Sequence, residues 1–157
     1  MFPLPKCLLD GGAYEAIARA TAAKGARLAL FDIDGAALAA VVEGLNGEGF
    51  ETVGYEVDIQ DRGSLEVAID TAAERFGGLD VVFANAGIGG GPGYKNPDGS
   101  RNAAGEIENI SDELWDRVLA INLTAVFTTV RRAAAHMKRL AKGGKIVPFQ
   151  AGDASSK

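Results

Sequence analysis

Residues 8–34, LLDGGAYEAIARATAAKGARLALFDID, carry the pattern that decides the fold. The stretch reads as a short apolar strand, a glycine pair at Gly11 and Gly12, an alanine-rich helix, and a second strand that ends in Asp32. A strand, a glycine turn, a helix and a strand ending in an acid form the beginning of a dinucleotide-binding unit. This stretch therefore predicts an α/β fold in which strands and helices alternate.

The same alternation continues along the rest of the chain. Apolar runs and helical spacing predict strands over 4–9, 26–31, 51–58, 79–85 and 143–149, helices over 14–24, 35–45, 61–76 and 111–140, and a long loop over 87–109. We expect a single domain over 1–157. Its fold class is α/β, with a Rossmann-like, doubly wound parallel sheet of strand order 3-2-1-4-5. A ligand site is expected at the carboxyl ends of the strands.

The composition is that of an ordinary globular chain of 157 residues, 47% hydrophobic and 24% charged. The net charge of −5 argues against a nucleic-acid or anionic-membrane partner, because both need concentrated positive charge. The single cysteine, Cys7, excludes an internal disulfide and a multi-cysteine metal site, and no metal site is expected. We recognise no signal peptide and no apolar run approaching the roughly 20 residues of a membrane helix. A cytoplasmic protein is therefore expected.

Asp32 is the first candidate for binding a ligand. It ends the second predicted strand, where an acid receives the adenosine ribose hydroxyls of NAD. A carboxylate there accepts two hydrogen bonds and repels the 2′-phosphate of NADP, so the sequence favours NAD. The alternative is a solvated loop acid.

Asp58 and Ile59 end the third predicted strand and form a second candidate. The carboxylate could receive the exocyclic amine of an adenine ring while the isoleucine covers one face of that ring. The alternative is that Asp58 caps the next helix, a role for which Asp61 competes.

Two asparagines mark the second half of the chain. Asn85, Ala86 and Gly87 end the fourth strand, where small residues let backbone approach a cofactor closely, although such a tripeptide also forms simple turns. Asn122 lies in the middle of an apolar helix, where an asparagine is a poor helix former and costs solvation when buried. We expect the side chain of Asn122 to have an assigned partner, either structural or catalytic.

The segment LFDIDG, residues 30–35, supports a rival interpretation. It resembles the first motif of haloacid-dehalogenase-type phosphatases, in which one aspartate is the nucleophile, a second is the acid/base, and Mg²⁺ screens their charge. Asp32 and Asp34 would take those roles. The motif normally continues with threonine or valine and lies on the first core strand, whereas Ala36 and Ala37 follow here and a strand and a helix precede it.

His136 and Trp115 are the remaining residues with distinctive chemistry. His136 is the only histidine and stands among basic residues near the end of the long helix, so we expect it on the surface. Trp115 is expected to pack into the core or an interface. Without a second histidine, a serine–histidine or metal-hydrolase site has little to build on.

Taken in order, these pieces resemble the short-chain dehydrogenase/reductase family. The match comprises the glycine turn, ALFDID (29–34), YEVDIQD (55–61), VVFANAGI (81–88), LWDRVLAINLTAVF (114–127) and GGKIV (143–147), and it covers nearly the whole chain. The resemblance implies NAD(P)-dependent hydride transfer between a small-molecule alcohol and a carbonyl. It also implies a homo-oligomer that packs through helix 111–140.

The resemblance assigns roles to particular residues. The cofactor-binding set it implies is Gly11, Gly12, Asp32, Ile33, Asp58, Ile59, Asn85, Ala86, Gly87 and Lys157. The catalytic set is Asn122, which would hold a proton-relay water, and Lys157, which would also grip the nicotinamide ribose.

The chain departs from the family pattern at the glycine loop, T-G-x-x-x-G-x-G. About three residues are missing there, and Tyr14 stands where a glycine is expected. Asp10 replaces the threonine and adds negative charge where phosphates would bind. We expect weakened pyrophosphate binding, because those glycines let helix N-terminal amides approach the phosphates.

A second departure lies at the catalytic end. Gln150 and Ala151 occupy the serine region, and Asp153 stands in place of the tyrosine that precedes Lys157. An aspartate is ionised at neutral pH and cannot donate the proton that the tyrosine donates. The part of the family fold that follows is missing from this chain. The sequence is therefore either part of an active oxidoreductase or a truncated, inactive module that binds NAD weakly or serves as an interaction surface.

Overall fold

The computed structural model describes residues 6–10, 14–141 and 143–148. Within these ranges the strands are β1 (Lys6–Asp10), β2 (Arg27–Asp32), β3 (Thr52–Glu56), β4 (Val81–Ala84) and β5 (Lys145–Pro148). The helices are α1 (Tyr14–Ala22), α2 (Gly35–Gly47), α3 (Arg62–Phe76), α4 (Asp112–Leu119) and α5 (Val126–Arg139), with a π-helical segment, Ala120–Ala125, between the last two. The predicted site residues Gly11, Gly12 and Lys157, with Gln150, Ala151 and Asp153, lie outside the described residues.

The five strands form one parallel sheet in the order β3-β2-β1-β4-β5. This is the order that the sequence predicts, and the strand bounds differ from the prediction by a few residues at most. The direction of the chain reverses between β1, which leads outward through β2 to β3, and β4, which leads to β5. Ligands bind in such sheets beyond the carboxyl ends of the strands near this reversal.

Alternating side chains of the strands build a core on each face of the sheet. Leu28 and Leu30 of β2 point toward α1 and α2, whereas Ala29 and Phe31 point toward α3 and α5. All four side chains are fully buried. Burial on both faces explains why β2 reads as a continuous apolar run rather than an alternating one.

Helix α2 packs very closely on β3 because Gly54 has no side chain. A Cβ atom built on Gly54 would lie 2.9 Å from Cγ of Leu38 and 3.1 Å from Cγ2 of Val42. Gly54 pairs with Leu30 in the parallel register, so it faces the same helix. The start of α2 is thereby held against the end of β3.

The loop after β4 contains a small hairpin. Lys95 and Arg101 form an antiparallel bridge. The side chain of Asn102 donates to the carbonyl of Gly93 at 2.9 Å, and its backbone N–H donates to the carbonyl of Tyr94, also at 2.9 Å. These bonds close the hairpin at its base, and Tyr94 itself is 71% exposed.

The helix predicted over 111–140 is present but interrupted by the π-helical segment. Ser111 caps its start by accepting the N–H of Leu114 at 3.2 Å. Trp115 is 54% exposed, so the prediction that it packs into the core is wrong, while an interface role stays a prediction. A π-helical segment inside an α-helix often lies at a functional site.

By length and composition alone, the helix Asp112–Arg139 could cross a membrane, with 28 residues and a most apolar stretch of mean hydropathy 1.2. This corrects the expectation that no apolar run approaches that length. The core helix of a soluble protein passes the same test. In this structure the helix packs on α3, with Thr128 and Thr129 buried. The absence of a membrane partner stays a prediction.

His136 is buried, which makes the prediction of a surface residue wrong. It is 6% exposed, because it lies three residues after Ala133 and seven after Thr129, on the face of α5 that packs inward. Its Nε2 is 2.7 Å from Oδ1 of Asp70 on α3, and its Nδ1 accepts a bond from Arg139 at 3.0 Å. The helical spacing of these buried positions was the signal that could have placed it.

Candidate functional site

The candidate site lies at the carboxyl edge of the sheet. Asp32 ends β2, Asp58 follows β3, and Asn85 follows β4. Because parallel strands all end at the same edge, the topology brings these three predicted residues to one side of the molecule.

Asp32 sits in a tight turn that fixes its carboxylate. Its Oδ1 accepts the backbone N–H of Asp34 at 2.9 Å. No donor from the described ranges reaches its Oδ2, so one oxygen is oriented by the turn while the other remains an acceptor for a ligand. Ile33, between the two acids, is 64% exposed and presents an apolar surface beside the carboxylate.

Asp34 caps helix α2. Its Oδ1 accepts the N–H groups of Ala36 at 3.1 Å and Ala37 at 2.9 Å. A carboxylate at this position satisfies two otherwise unpaired helical donors and interacts favourably with the helix dipole. The second acid of the phosphatase interpretation is therefore committed to a structural role. In the part of the chain that the structure describes, no group of three or more His, Cys, Asp or Glu residues could hold a metal ion.

Asp58 also forms a local turn rather than a helix cap. Its Oδ1 accepts the N–H of Gln60 at 2.9 Å, and the side-chain amide of Gln60 lies 3.3 Å from the same oxygen. The cap of α3 is Asp61, which accepts from Gly63 at 2.9 Å. The capping alternative for Asp58 is thus wrong. Ile59 is partly buried against the core, which leaves only part of its side chain for a ligand.

Asn122 is tied to the segment that follows β4. Its Oδ1 accepts the N–H of Ile88 at 2.9 Å, and its Nδ2 donates to the carbonyl of Ile88, also at 2.9 Å. The assigned partner expected from the sequence is therefore a backbone peptide next to Asn85, Ala86 and Gly87. This pair of bonds joins the π-helical segment to the loop and brings Asn122 to the candidate site.

Glu56 also lies at this edge, although no sequence pattern singled it out. Glu56 is the last residue of β3 and pairs in register with Asp32. A Cβ atom built on Gly35 would overlap the carboxylate oxygen Oε2 of Glu56 and would lie 2.7 Å from its Cδ. The available signal was strand pairing: residues paired in neighbouring parallel strands point to the same face, so the partner of Asp32 on β3 could have been expected beside it.

A second charged cluster joins α3 to α5 away from this edge. Arg132 forms two hydrogen bonds with the carboxylate of Asp70, and Arg131 pairs with Glu66. Arg132 lowers the pKa of the Asp70 carboxyl from 3.8 to about 2, and His136 contributes in the same direction against the opposing effect of burial. Since α5 ends shortly before β5 begins, His136 lies toward the amino edge of the sheet. The cluster fixes the packing of two helices and is not part of the candidate site.

Comparisons with known proteins agree with this arrangement. The sequence profile of the short chain dehydrogenase family matches residues 10–153. D-threitol dehydrogenase of Mycolicibacterium smegmatis is 33% identical over 136 residues, which make up 87% of this chain and 47% of that protein. An uncharacterized NAD-dependent oxidoreductase of Mycobacterium tuberculosis is 33% identical over 110 residues, 70% of this chain and 35% of that protein.

A solved structure is similar over almost all of the chain. It is a short-chain dehydrogenase/reductase from Burkholderia phymatum in complex with NAD, with a TM-score of 0.81 and 28% sequence identity. The similarity covers 94% of this chain and 50% of that one. The chain spans 35% of the length of the Mycobacterium tuberculosis oxidoreductase and 47% of the length of D-threitol dehydrogenase.

Proposed function

The chain belongs to the short-chain dehydrogenase family. We propose that it acts as the cofactor-binding part of an NAD-dependent oxidoreductase, which transfers hydride between a small-molecule alcohol and a carbonyl. The observation that carries this proposal is the carboxyl edge of the sheet, where an oriented carboxylate, Asp32, ends β2. The oxidoreductase names of the relatives support the same class of reaction.

The described residues suit the adenosine half of NAD. Asp32 keeps one carboxylate oxygen available for ribose hydroxyls, and the exposed Ile33 beside it offers an apolar contact. Asp58 and Ile59 would meet the adenine, with the amide of Gln60 competing for the carboxylate. We further propose Asn85, Ala86 and Gly87 along the centre of the cofactor, where Asn85 is buried. Gly11, Gly12 and Lys157 remain proposals from the family resemblance.

NAD is the proposed cofactor rather than NADP. The carboxylate of Asp32 forms no ion pair with any residue in the described ranges, so its negative charge is not neutralised locally. A 2′-phosphate placed on the ribose would meet that charge. NAD would supply the hydride acceptor when it is bound. The residues of the chain would bind it and orient it along the carboxyl edge of the sheet.

Asn122 has a positioning role in this proposal. Its side chain uses both polar atoms on Ile88, so it fixes the backbone that leads out of β4. The surrounding π-helical segment, Ala120–Ala125, departs from the usual i to i−4 bonding. We propose that a relay water binds to the backbone there. Because both polar atoms of its side chain bond to Ile88, Asn122 would hold that water through the backbone of the segment rather than through its amide.

A second candidate function is favoured by an exposed apolar stripe on the α4–α5 helix. Trp115, Leu123 and Phe127 are 54%, 62% and 56% exposed. Leu119 lies between them at the same four-residue spacing, so the stripe follows one side of the helix. We propose that this stripe packs against a second copy of the chain. If the departures at Asp153 and at the glycine loop abolish catalysis, the chain would act as a binding module through this surface.

A cytoplasmic location stays a prediction.

Titration of NADH, followed by its fluorescence, tests the proposal. We expect saturable binding to the chain, weakened about 10- to 100-fold by Asp32→Ala, because charge-assisted hydrogen bonds are worth about 1.5–3 kcal/mol. Asp98→Ala is the matched control, since Asp98 also accepts the N–H of the residue two positions later at 2.9 Å but lies in the exposed hairpin. No saturable signal at millimolar NADH, or equal loss in both variants, would contradict the proposal.

A further inference from the structure

Glu56 and Asp32 form a pair of acids on one face of the sheet. They are register partners at the ends of β3 and β2, and β-strand side chains alternate between faces. Leu28 and Leu30 of β2 face α2, so Asp32, two residues further, also points toward the side of α2. Gly54 faces Leu38 and Val42 of α2, which places Glu56 on the same side. The two carboxylates therefore flank the start of α2.

Gly35 leaves room for the carboxylate of Glu56 beside that helix start. The space that a Cβ of residue 35 would fill is occupied by Oε2 of Glu56. The absent side chain at Gly35 and the close packing allowed by Gly54 thus act together. Glu56 is seated beside the first residue of α2, directly after the turn that carries Asp32.

Helix N-termini bind phosphates because their free N–H groups and the helix dipole attract anions. In this chain the N–H groups of Ala36 and Ala37 are already used by the carboxylate of Asp34. The flank is occupied by Glu56, and Glu56 forms no ion pair with any residue in the described part of the chain. A phosphate near the start of α2 would find these two donors occupied and would meet the negative charge of Asp34, Asp32 and Glu56.

We propose that Glu56 is a second determinant of cofactor choice, which acts with Asp32 to exclude dinucleotides that carry a 2′-phosphate. The inference rests on the proposed function, because Asp32 must face the adenosine ribose for a 2′-phosphate to approach Glu56. It adds a residue from β3 to the acid that ends β2. NAD carries no 2′-phosphate, so its binding is unaffected by this charge.

The test compares the dissociation constants of NADPH and NADH by fluorescence titration. The proteins are the unaltered chain, Glu56→Gln, Glu56→Lys and the control Glu51→Gln. Glu51 is an exposed acid just before β3 that pairs with Arg27 at 3.8 Å, at the opposite end of the strand. The control removes the same unit of charge at a distance from the site. Each titration is repeated at low and high salt, because salt screens interactions between exposed charges.

We expect Glu56→Gln to lower the ratio of the NADPH constant to the NADH constant about fivefold at low salt, from Coulomb repulsion between a surface carboxylate and a phosphate. Glu56→Lys is expected to lower it further, and both effects should shrink at high salt. Glu51→Gln should leave the ratio unchanged. Circular dichroism checks that each variant is folded.

Three other outcomes are distinguishable. If NADH binds but neither Glu56 variant changes the ratio, the inference is wrong and the proposed function stands. If Glu51→Gln changes the ratio equally, the effect is one of net charge, and the inference is again wrong. If no protein binds either nucleotide, the proposed function fails and the inference fails with it.

Discussion

Replacing Asn122 by alanine removes the two hydrogen bonds that join the π-helical segment to the loop after β4. Both bonds are 2.9 Å long and both end on the backbone of Ile88. The substitution therefore leaves one peptide N–H and one carbonyl without their partners. It also unties the segment that contains the proposed cofactor contacts Asn85, Ala86 and Gly87.

The chain offers a matched control at the other edge of the sheet. Asn46, near the end of α2, accepts the N–H of Thr52 at 2.9 Å and donates to its carbonyl at 3.1 Å. This is the same two-bond arrangement between a helical asparagine and the backbone N–H and carbonyl of one residue. Thr52 begins β3, so this second arrangement lies at the amino edge, away from the candidate site.

The expected loss of stability is similar for the two variants. Two neutral hydrogen bonds contribute about 2 kcal/mol together, and alanine regains about 0.5 kcal/mol of helix propensity over asparagine. The net loss is about 1.5 kcal/mol in each case. With a denaturant slope of about 2 kcal/mol per molar urea, the unfolding midpoint should fall by about 0.8 M.

Binding of NADH should separate the two variants. If the loop must be clamped for NADH to bind, the lost bonds limit the weakening to about 30-fold, and we expect about tenfold for Asn122→Ala. Asn46→Ala should leave the NADH constant unchanged. Urea unfolding followed by circular dichroism and fluorescence titration of NADH measure both quantities. Equal NADH constants in the two variants, despite similar losses of stability, would refute the positioning role of Asn122.

Two further predictions concern the α5 helix. Asp70 has a pKa of about 2, lowered chiefly by Arg132, so the folded carboxylate contributes stability above about pH 4 that is lost as the pH falls through about 2. Asp70→Asn should lower the free energy of unfolding by about 1 kcal/mol at neutral pH, after allowing for screening of a side chain that is 28% exposed. It should also flatten the dependence of the urea midpoint on pH between about 5 and 2. An unchanged pH dependence would contradict the role of the Asp70–Arg132 pair. Phe127→Glu should convert an oligomer to a monomer in light scattering coupled to gel filtration, whereas Val67→Glu, at a site on α3 that is 65% exposed, should not; a monomeric unaltered chain would contradict the proposed self-association.

The alternation of elements was readable from the sequence because each element carries its own local signal. Gly25 and Gly77 adopt positive φ angles beside the ends of α1 and α3, where glycine is the residue that meets no steric penalty. The polar side chains of Asp61 and Ser111 cap the helices that follow them, as the sequence pattern of a polar residue before an apolar helix indicates. The strand order is not a local signal: right-handed crossovers decide on which face each helix lies, whereas the order 3-2-1-4-5 was expected from the doubly wound dinucleotide-binding pattern as a whole.

The partners of individual polar side chains were not readable in the same way, because they depend on contacts distant in sequence. His136 bonds to Asp70, 66 residues earlier, and Asn122 bonds to Ile88, 34 residues earlier. Glu56 was missed because its placement depends on Gly35 of a neighbouring helix. The carboxylate of Glu56 lies where a Cβ atom of residue 35 would be. Local pattern identified which side chains needed partners, whereas only the packed sheet and helices identified what those partners are.

The hairpin at residues 94–102 has a consequence for how the chain can diversify. Its two ends are joined by the bonds of Asn102 to Gly93 and Tyr94, so the residues between them form a closed surface loop whose ends lie side by side. Insertions, deletions or grafted sequences within it need not alter the strand that precedes it or the helix that follows. The chain can therefore keep the carboxyl edge of the sheet while this segment is exchanged, which makes residues 95–101 a suitable position for a library of loop variants.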